Sequence, residues 1–320
     1  MNRLHTPTGN WKYALLLSLV ASLLWGILPV ALQAMMSYMD PYTITWYRFL
    51  SAGIVLFFIL AYKKGMPRLR WIHNHSAVTL LLAVLGLCGN YILYLQGLSR
   101  TGPGAAQVLI QLAPILLILG GVTIFKEALT IRQVIGLICI LMGFCLFFQH
   151  RLQEIFTSLT EYTFGVILII GASVTWAVYA LAQKQLLKLF TSQQILLLIF
   201  FSGTLVFLPT SDPGTLFALD VTGILLLVFC SANTVIAYGC FAEALEHWEA
   251  SRISAILAIV PLITLTFMEL AVPVYPDVLS SEKITWVSFL GAVVVVTGTV
   301  IFVIKKKKEL YDEIKARQAH

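Results

Sequence analysis

Ten apolar runs, most of them near 20 residues long, leave this chain few ways to fold. They cover residues 13–36, 42–62, 77–98, 104–125, 132–149, 162–183, 192–209, 221–244, 251–272 and 285–304. A helix rises 1.5 Å per residue, so roughly 20 apolar residues span a hydrocarbon layer about 30 Å thick. The runs are continuous rather than alternating, and longer than the roughly 10 residues of a barrel strand, which excludes a β-barrel. Residues are 59% hydrophobic and 11% charged; a soluble domain carries roughly 45–50% and 25%. The expected fold is therefore an all-α integral membrane protein with ten transmembrane helices in a lipid bilayer. The first run is too long for a signal-peptide core and is followed by no small-residue cleavage site, so it reads as a true span.

Short loops make neighbouring spans antiparallel, and Lys and Arg then set the orientation. With both termini cytoplasmic, 17 of the 21 Lys and Arg fall in cytoplasmic segments; Arg100, Arg151 and Lys283 lie outside and Arg48 within a span. The net charge of +6 is thus a topology signal and implies no nucleic acid. The basic tail, 305–320, reads as a stop-transfer anchor, with anionic headgroups as an alternative partner. The five cysteines all sit in apolar runs without metal or redox spacing, so they read as packing residues. All six histidines fall in loops or tails. No metalloprotease, P-loop or nucleophile-elbow motif is present, which argues against an enzyme and calls for no cofactor or metal.

The chain also resembles itself. Glu127, Thr130, Gly136 and Gly143 recur 155 residues later as Glu282, Thr285, Gly291 and Gly298. Trp25 recurs after 151 residues as Trp176, while Tyr91 and Pro114 recur after 147 as Tyr238 and Pro261. Two units follow: residues 1–150 with spans one to five, and 151–304 with spans six to ten. Five is odd, so the second unit enters the membrane from the opposite side, giving two inverted five-helix repeats.

These features resemble the drug/metabolite transporter superfamily, specifically its EamA-type ten-helix exporters. The resemblance rests on Trp25-Gly26, Pro41, Arg48, Pro114 and the repeated E-x-x-T…G…G blocks, and it covers residues 13–304. It implies an inner-membrane carrier with a cavity between two five-helix bundles, lined by spans one, three, four, six, eight and nine. It also implies a small-molecule substrate: amino acids, nucleobase-like metabolites, amines, drugs or sugar phosphates.

The chain's own residues name candidates. Trp25 and Trp176 lie at equivalent mid-span positions, where paired rings suit an apolar or cationic solute, with helix packing as the alternative. Tyr179 lies on the turn of Trp176. Asn90, Tyr91, Tyr94, Gln107, Gln111, Asn233, Tyr238 and Ser254 are neutral hydrogen-bonding groups that cannot face lipid, so each lines a cavity or ties helices together. Gln107 and Gln111 share one helical face, as do Asn90 and Tyr94. Arg48 and Glu269 are ionisable within spans, where a charge costs several kcal/mol unless paired or hydrated. They read as gating or coupling candidates that pair with each other; otherwise Arg48 has a structural role on helix-end carbonyls, and Glu269 gates the outer side, snorkels to the outer interface or carries a coupling proton. Glu243 reads as a solvated helix end. Pro114 and Pro261 fall inside spans, where proline bends a helix and supplies a hinge.

The expected activity is secondary transport of small organic solutes by alternating access, with export implied by the family. Uptake or exchange of a polar metabolite is the second expectation. A lipid-handling enzyme or sensor is the third.

Overall fold

A computed structural model describes residues 10–68, 74–125, 130–248, 250–273 and 284–303. Glu127, Glu282 and the basic tail lie outside the described residues.

The first half comprises α1 (Trp11–Met35), α2 (Pro41–Tyr62), α3 (Asn74–Thr101), α4 (Pro103–Leu109), α5 (Leu112–Phe125) and α6 (Ile131–Phe147). A short α7 (Leu152–Thr157) leads into the second half: α8 (Glu161–Leu186), α9 (Ser192–Phe207), α10 (Val221–His247), α11 (Ala250–Leu257), α12 (Val260–Ala271) and α13 (Trp286–Val303). Eight helical segments are long and apolar enough to cross a membrane, while Pro103–Leu117 and Ile131–Phe147 are shorter apolar helices at the fourth and fifth expected spans. Leu16, Phe58, Leu85, Met142, Leu205 and Leu225 belong to an exposed apolar belt, which lipid would cover.

Helix starts are set by local chemistry. Asp40 accepts from the backbone N–H groups of Tyr42 and Thr43, with Pro41 at the first helical position of α2. Thr130 and Thr191 close reciprocal boxes with Gln133 and Gln194 at α6 and α9. Thr285 accepts from the Ser288 N–H at 3.2 Å and starts α13. The repeated threonines of the E-x-x-T blocks are therefore helix starts. Between α3 and α4 the chain reverses at Gly102, whose φ of 87° suits glycine.

Helices pair across the halves, antiparallel. A methyl group placed on Gly136 would lie 2.8 Å from the Gly298 carbonyl, and one on Gly143 would lie 2.8 Å from that of Gly291. The repeated glycines thus meet crosswise, each against the other's counterpart, with Ile140 and Val295 fully buried between them. Lipid offers apolar side chains no hydrophobic drive to associate, so such close backbone contact is what holds membrane helices together. α3 lies along α8 in the same manner, α1 along α10, and α2 along α9. Tyr38–Asp220, Arg100–Glu161 and Gln149–Thr285 contacts gather one set of loops, which we term the distal face. Trp11–Trp248 and Tyr13–His247 contacts gather the helix ends of the opposite, terminal face.

Both spans expected to carry a hinge are broken rather than bent. α4 gives way to α5 at Ile110 and Gln111, three residues before Pro114, and α11 gives way to α12 at Ala258 and Ile259, just before Pro261. Proline has no N–H and its ring crowds the carbonyl four residues back. The turns tighten in compensation: Ala113 N–H bonds the Ile110 carbonyl at 2.9 Å, and Ile259 N–H bonds that of Ile256 at 3.1 Å.

Candidate substrate site between the halves

The two helix breaks face each other. The Gln111 amide donates to the Ala258 carbonyl over a long 3.4 Å. Gln111 and Ala258 are 147 residues apart, the spacing of Tyr91 to Tyr238 and of Pro114 to Pro261. Tyr91 and Tyr238 also lie side by side. Two pairs of matching residues thus touch their own counterparts, so the axis relating the halves passes between them.

Around that axis lie aromatic rings and one charge. Trp25 sets its ring edge-on to Tyr238 at 5.4 Å and packs on Phe241 at 5.7 Å. Tyr179 is buried near Tyr91 and Tyr238. Trp176 is half-buried and approaches Tyr179 at 6.5 Å. Arg48 enters from α2, seven residues from its start, or about 10 Å along the axis. It is 4% exposed. Its Nε donates to Thr234 Oγ1 at 3.1 Å, and its guanidinium carbon lies 4.7 Å from the Tyr91 ring centre. Phe49, the next residue, packs against Tyr91 and Phe200.

Arg48 and Glu269 do not pair. Arg48 is buried against α3 and α10, whereas Glu269 is exposed on α12 and has no ion-pair partner among the described residues. Nor does Arg48 cap a helix end, since its hydrogen bond is to a side chain. A cation over an aromatic ring gains about 0.5–2 kcal/mol, and a single hydrogen bond from a charged group about 1.5–3. The insertion cost of arginine at the bilayer centre is about 2.5–3.5 kcal/mol. Together the two gains are of the same order as that cost.

The amides divide by task. Asn90 donates to the Ala172 carbonyl at 2.9 Å and ties α3 to α8; Asn233 donates to the Leu24 carbonyl at 2.7 Å and ties α10 to α1. Gln107 accepts from the Tyr94 hydroxyl at 2.8 Å, linking α4 to α3. Ser254 is half-buried on α11. Sequence reasoning passed over Thr234 and Phe241, although Thr234 lies one turn before Tyr238 and that spacing was a signal.

A cavity of about 740 Å³ opens elsewhere, at the distal face, lined by Gln33, Arg100, His150, Arg151, Glu154 and Tyr162 among others. Arg48 and the aromatic candidates are not among its lining residues. Leu32, Met35, Leu95, Leu98, Leu109 and Ile115 pack into one buried apolar layer on the distal side of Trp25. At the cavity rim, hydrogen bonds from Thr160 and Arg151 hold the Glu154 carboxyl below the usual carboxylate range.

The EamA-like transporter family model matches residues 12–149 and again residues 163–304. The chain belongs to the EamA-like transporter family. It is 41% identical over 285 residues to the uncharacterized inner membrane transporter YhbE of Escherichia coli K12, covering 89% of each chain. An uncharacterized transporter of Haemophilus influenzae is 37% identical over 290 residues, covering 91% of this chain and 94% of that one. A crystal structure with a TM-score of 0.62 and 17% identity covers 90% of this chain and 94% of its own, and shares the fold. With its apolar helices, this EamA-family chain is a multi-pass inner membrane protein.

Proposed function

We propose that this protein is a secondary transporter that exports small organic solutes by alternating access. In this reading residues 1–150 and 151–304 are two inverted units that exchange conformations around one site. The observation that carries it is the pair of broken helices at matching positions, meeting at Gln111 and Ala258 beside the aromatic cluster. Discontinuous helices in corresponding places of two repeats mark the binding region in many secondary carriers, because irregular backbone is tolerated only where it lines a cavity or packs on protein.

The terminal face is assigned to the cytoplasm. Lys12, Lys63, Lys64, Arg68, Lys184, Lys188 and Arg252 belong to that face, against Arg100 and Arg151 at the distal one. The buried apolar layer then closes the outward side. On the cytoplasmic side of Trp25 a small cluster around Ala14, Ala244 and Ile253 and a larger one around Leu186, Phe190 and Ile195 pack the helix ends, and a cytoplasmic solute would load between them. The half-buried Trp25, Trp176, Tyr94, Gln107, Gln111 and Ser254 are the groups that would receive it, with Pro114 and Pro261 setting the hinges. Proton coupling is assigned to Glu269, and Glu269→Gln should then abolish flux driven by a pH gradient while leaving exchange at equal pH intact.

Purified protein in liposomes, challenged with labelled amino acids, amines and neutral metabolites, tests the reading. Saturable flux of at least one class is expected. Absence of flux for every class, with helical content intact, would overturn it.

A further inference from the structure

Arg48 is over nine-tenths buried, yet the structure shows no carboxylate beside it. Apart from the Asp and Glu at their ends, the helices around it (α2, α3, α8 and α10) carry no acidic residue until Glu243, which is exposed next to His247. The guanidinium has five N–H donors. One is used, on Thr234, and the Tyr91 ring covers one face of the group. Thr234 is itself committed, since its hydroxyl donates to the Cys230 carbonyl at 3.1 Å. Among the described residues no acceptor meets the other four N–H groups. Near them stands the hydroxyl of Tyr238, close enough to feel the same charge.

We propose that Arg48 is the specificity-determining group of the transport site, and that it binds a single carboxylate of the solute. This rests on the transporter reading and names the substrate class within it. A fixed planar fork of N–H donors matches a carboxylate with two parallel hydrogen bonds. The charge count selects among anions. One buried cation neutralises a monocarboxylate, whereas a phosphate monoester or a dicarboxylate would leave a second negative charge in a low-dielectric site with no Lys, His or second Arg to meet it. The remainder of the solute then falls against Trp25, Tyr238 and Phe241, which suit an apolar, aromatic or cationic group. Thr234 and Tyr91 position the guanidinium, fixing its plane before the ligand arrives.

Thermal unfolding of the purified protein with matched ligand pairs tests this, because a ligand that binds the native state raises its apparent stability. The probes are phenylalanine with phenylalaninamide, leucine with leucinamide, and benzoate with benzamide. Each pair keeps its skeleton and loses only the carboxylate charge. For at least one pair, the carboxylate is expected to bind at least tenfold tighter than its amide. In Arg48→Gln that preference should vanish, and in Arg48→Lys it should persist in weakened form, a pattern that a purely structural arginine would not give. The wild-type comparison stands even if a variant fails to fold. Equal stabilisation by both members of every pair, or no stabilisation by any, would overturn the proposal. Saturable flux of amides or amines in liposomes, with no carboxylate preference, would overturn it while leaving the transporter reading in place.

Discussion

The α3–α8 pair and the α1–α10 pair are the same contact made twice, once in each orientation, and they are built differently. Along α3 and α8 glycine sets the spacing. A methyl group on Gly86 would lie 2.8 Å from the backbone nitrogen of Tyr179, and one on Gly97 would lie 2.9 Å from the Gly165 carbonyl. Along α1 and α10 the matching positions are Asn233 for Gly86 and Ala244 for Gly97, with Trp25, Tyr238 and Phe241 between them. Asn233 spans the gap with a side chain where glycine lets backbone meet backbone. The first pair is thus a fixed rib. The second leaves room for rings and a ligand, so the two copies of one plan divide scaffold from site.

The largest expected effect attacks the rib. Gly86→Ala should lower the melting temperature by an amount equivalent to about 1–3 kcal/mol, the usual cost of overpacking a close contact. Gly239→Ala on α10, where an added methyl meets nothing within 4 Å, should cost nothing in the same assay. Equal losses would erase the contrast. Next comes the aromatic side. Trp25→Ala should reduce transport by up to about tenfold, the scale of losing ring contacts worth about 0.5–1.5 kcal/mol, because its ring touches both Tyr238 and Phe241. Trp176→Ala should do less, since the ring of Trp176 approaches that of Tyr179 on its own helix.

A smaller difference is expected at the helix breaks. Gln111→Leu removes the bond to Ala258 and should slow transport several-fold, in line with membrane hydrogen bonds of about 0.6 kcal/mol on average and 1.7 at most. Ser254→Ala, at the position matching Gln107, should stay near wild type, and equal slowing would count against a polar bias toward the first half. The smallest effect lies at the distal rim. The folded state holds the Glu154 carboxyl below its ordinary value, so its contribution is full above about pH 4.3 and is lost as pH falls through the lowered value. A melting-temperature profile from pH 7 to pH 3 should therefore fall at the acid end in wild type and fall less in Glu154→Gln.

How much of this was legible in the sequence depends on which coordinate of a helix a residue reports. Depth is legible, because apolar length and flanking charge fix it; the positions of α1, α2 and α8 followed from that alone. The breaks at Pro114 and Pro261 were readable as hinges, since proline acts on its own backbone wherever it sits. Azimuth is harder. Arg48 and Glu269 share a similar depth, which suggested a pair, yet one faces α10 and the other is exposed. The neutral amides were ambiguous for a related reason. Asn90 and Gln107 look alike in an apolar run, but only the packed neighbour decides whether the acceptor is a carbonyl or a tyrosine hydroxyl. Glycine spacing in α6 and α13 did signal close packing, and there the backbones meet.

Counterflow in proteoliposomes tests the central claim, one site exposed alternately to the two faces, most directly. Vesicles loaded with an excess of an unlabelled solute that the protein carries are diluted into a trace of the same solute, labelled. Alternating access predicts transient accumulation of label above its external concentration, and loss of that overshoot when the vesicles are empty. Label that equilibrates at the same rate in loaded and empty vesicles, with no overshoot, would contradict a carrier built from two exchanging halves.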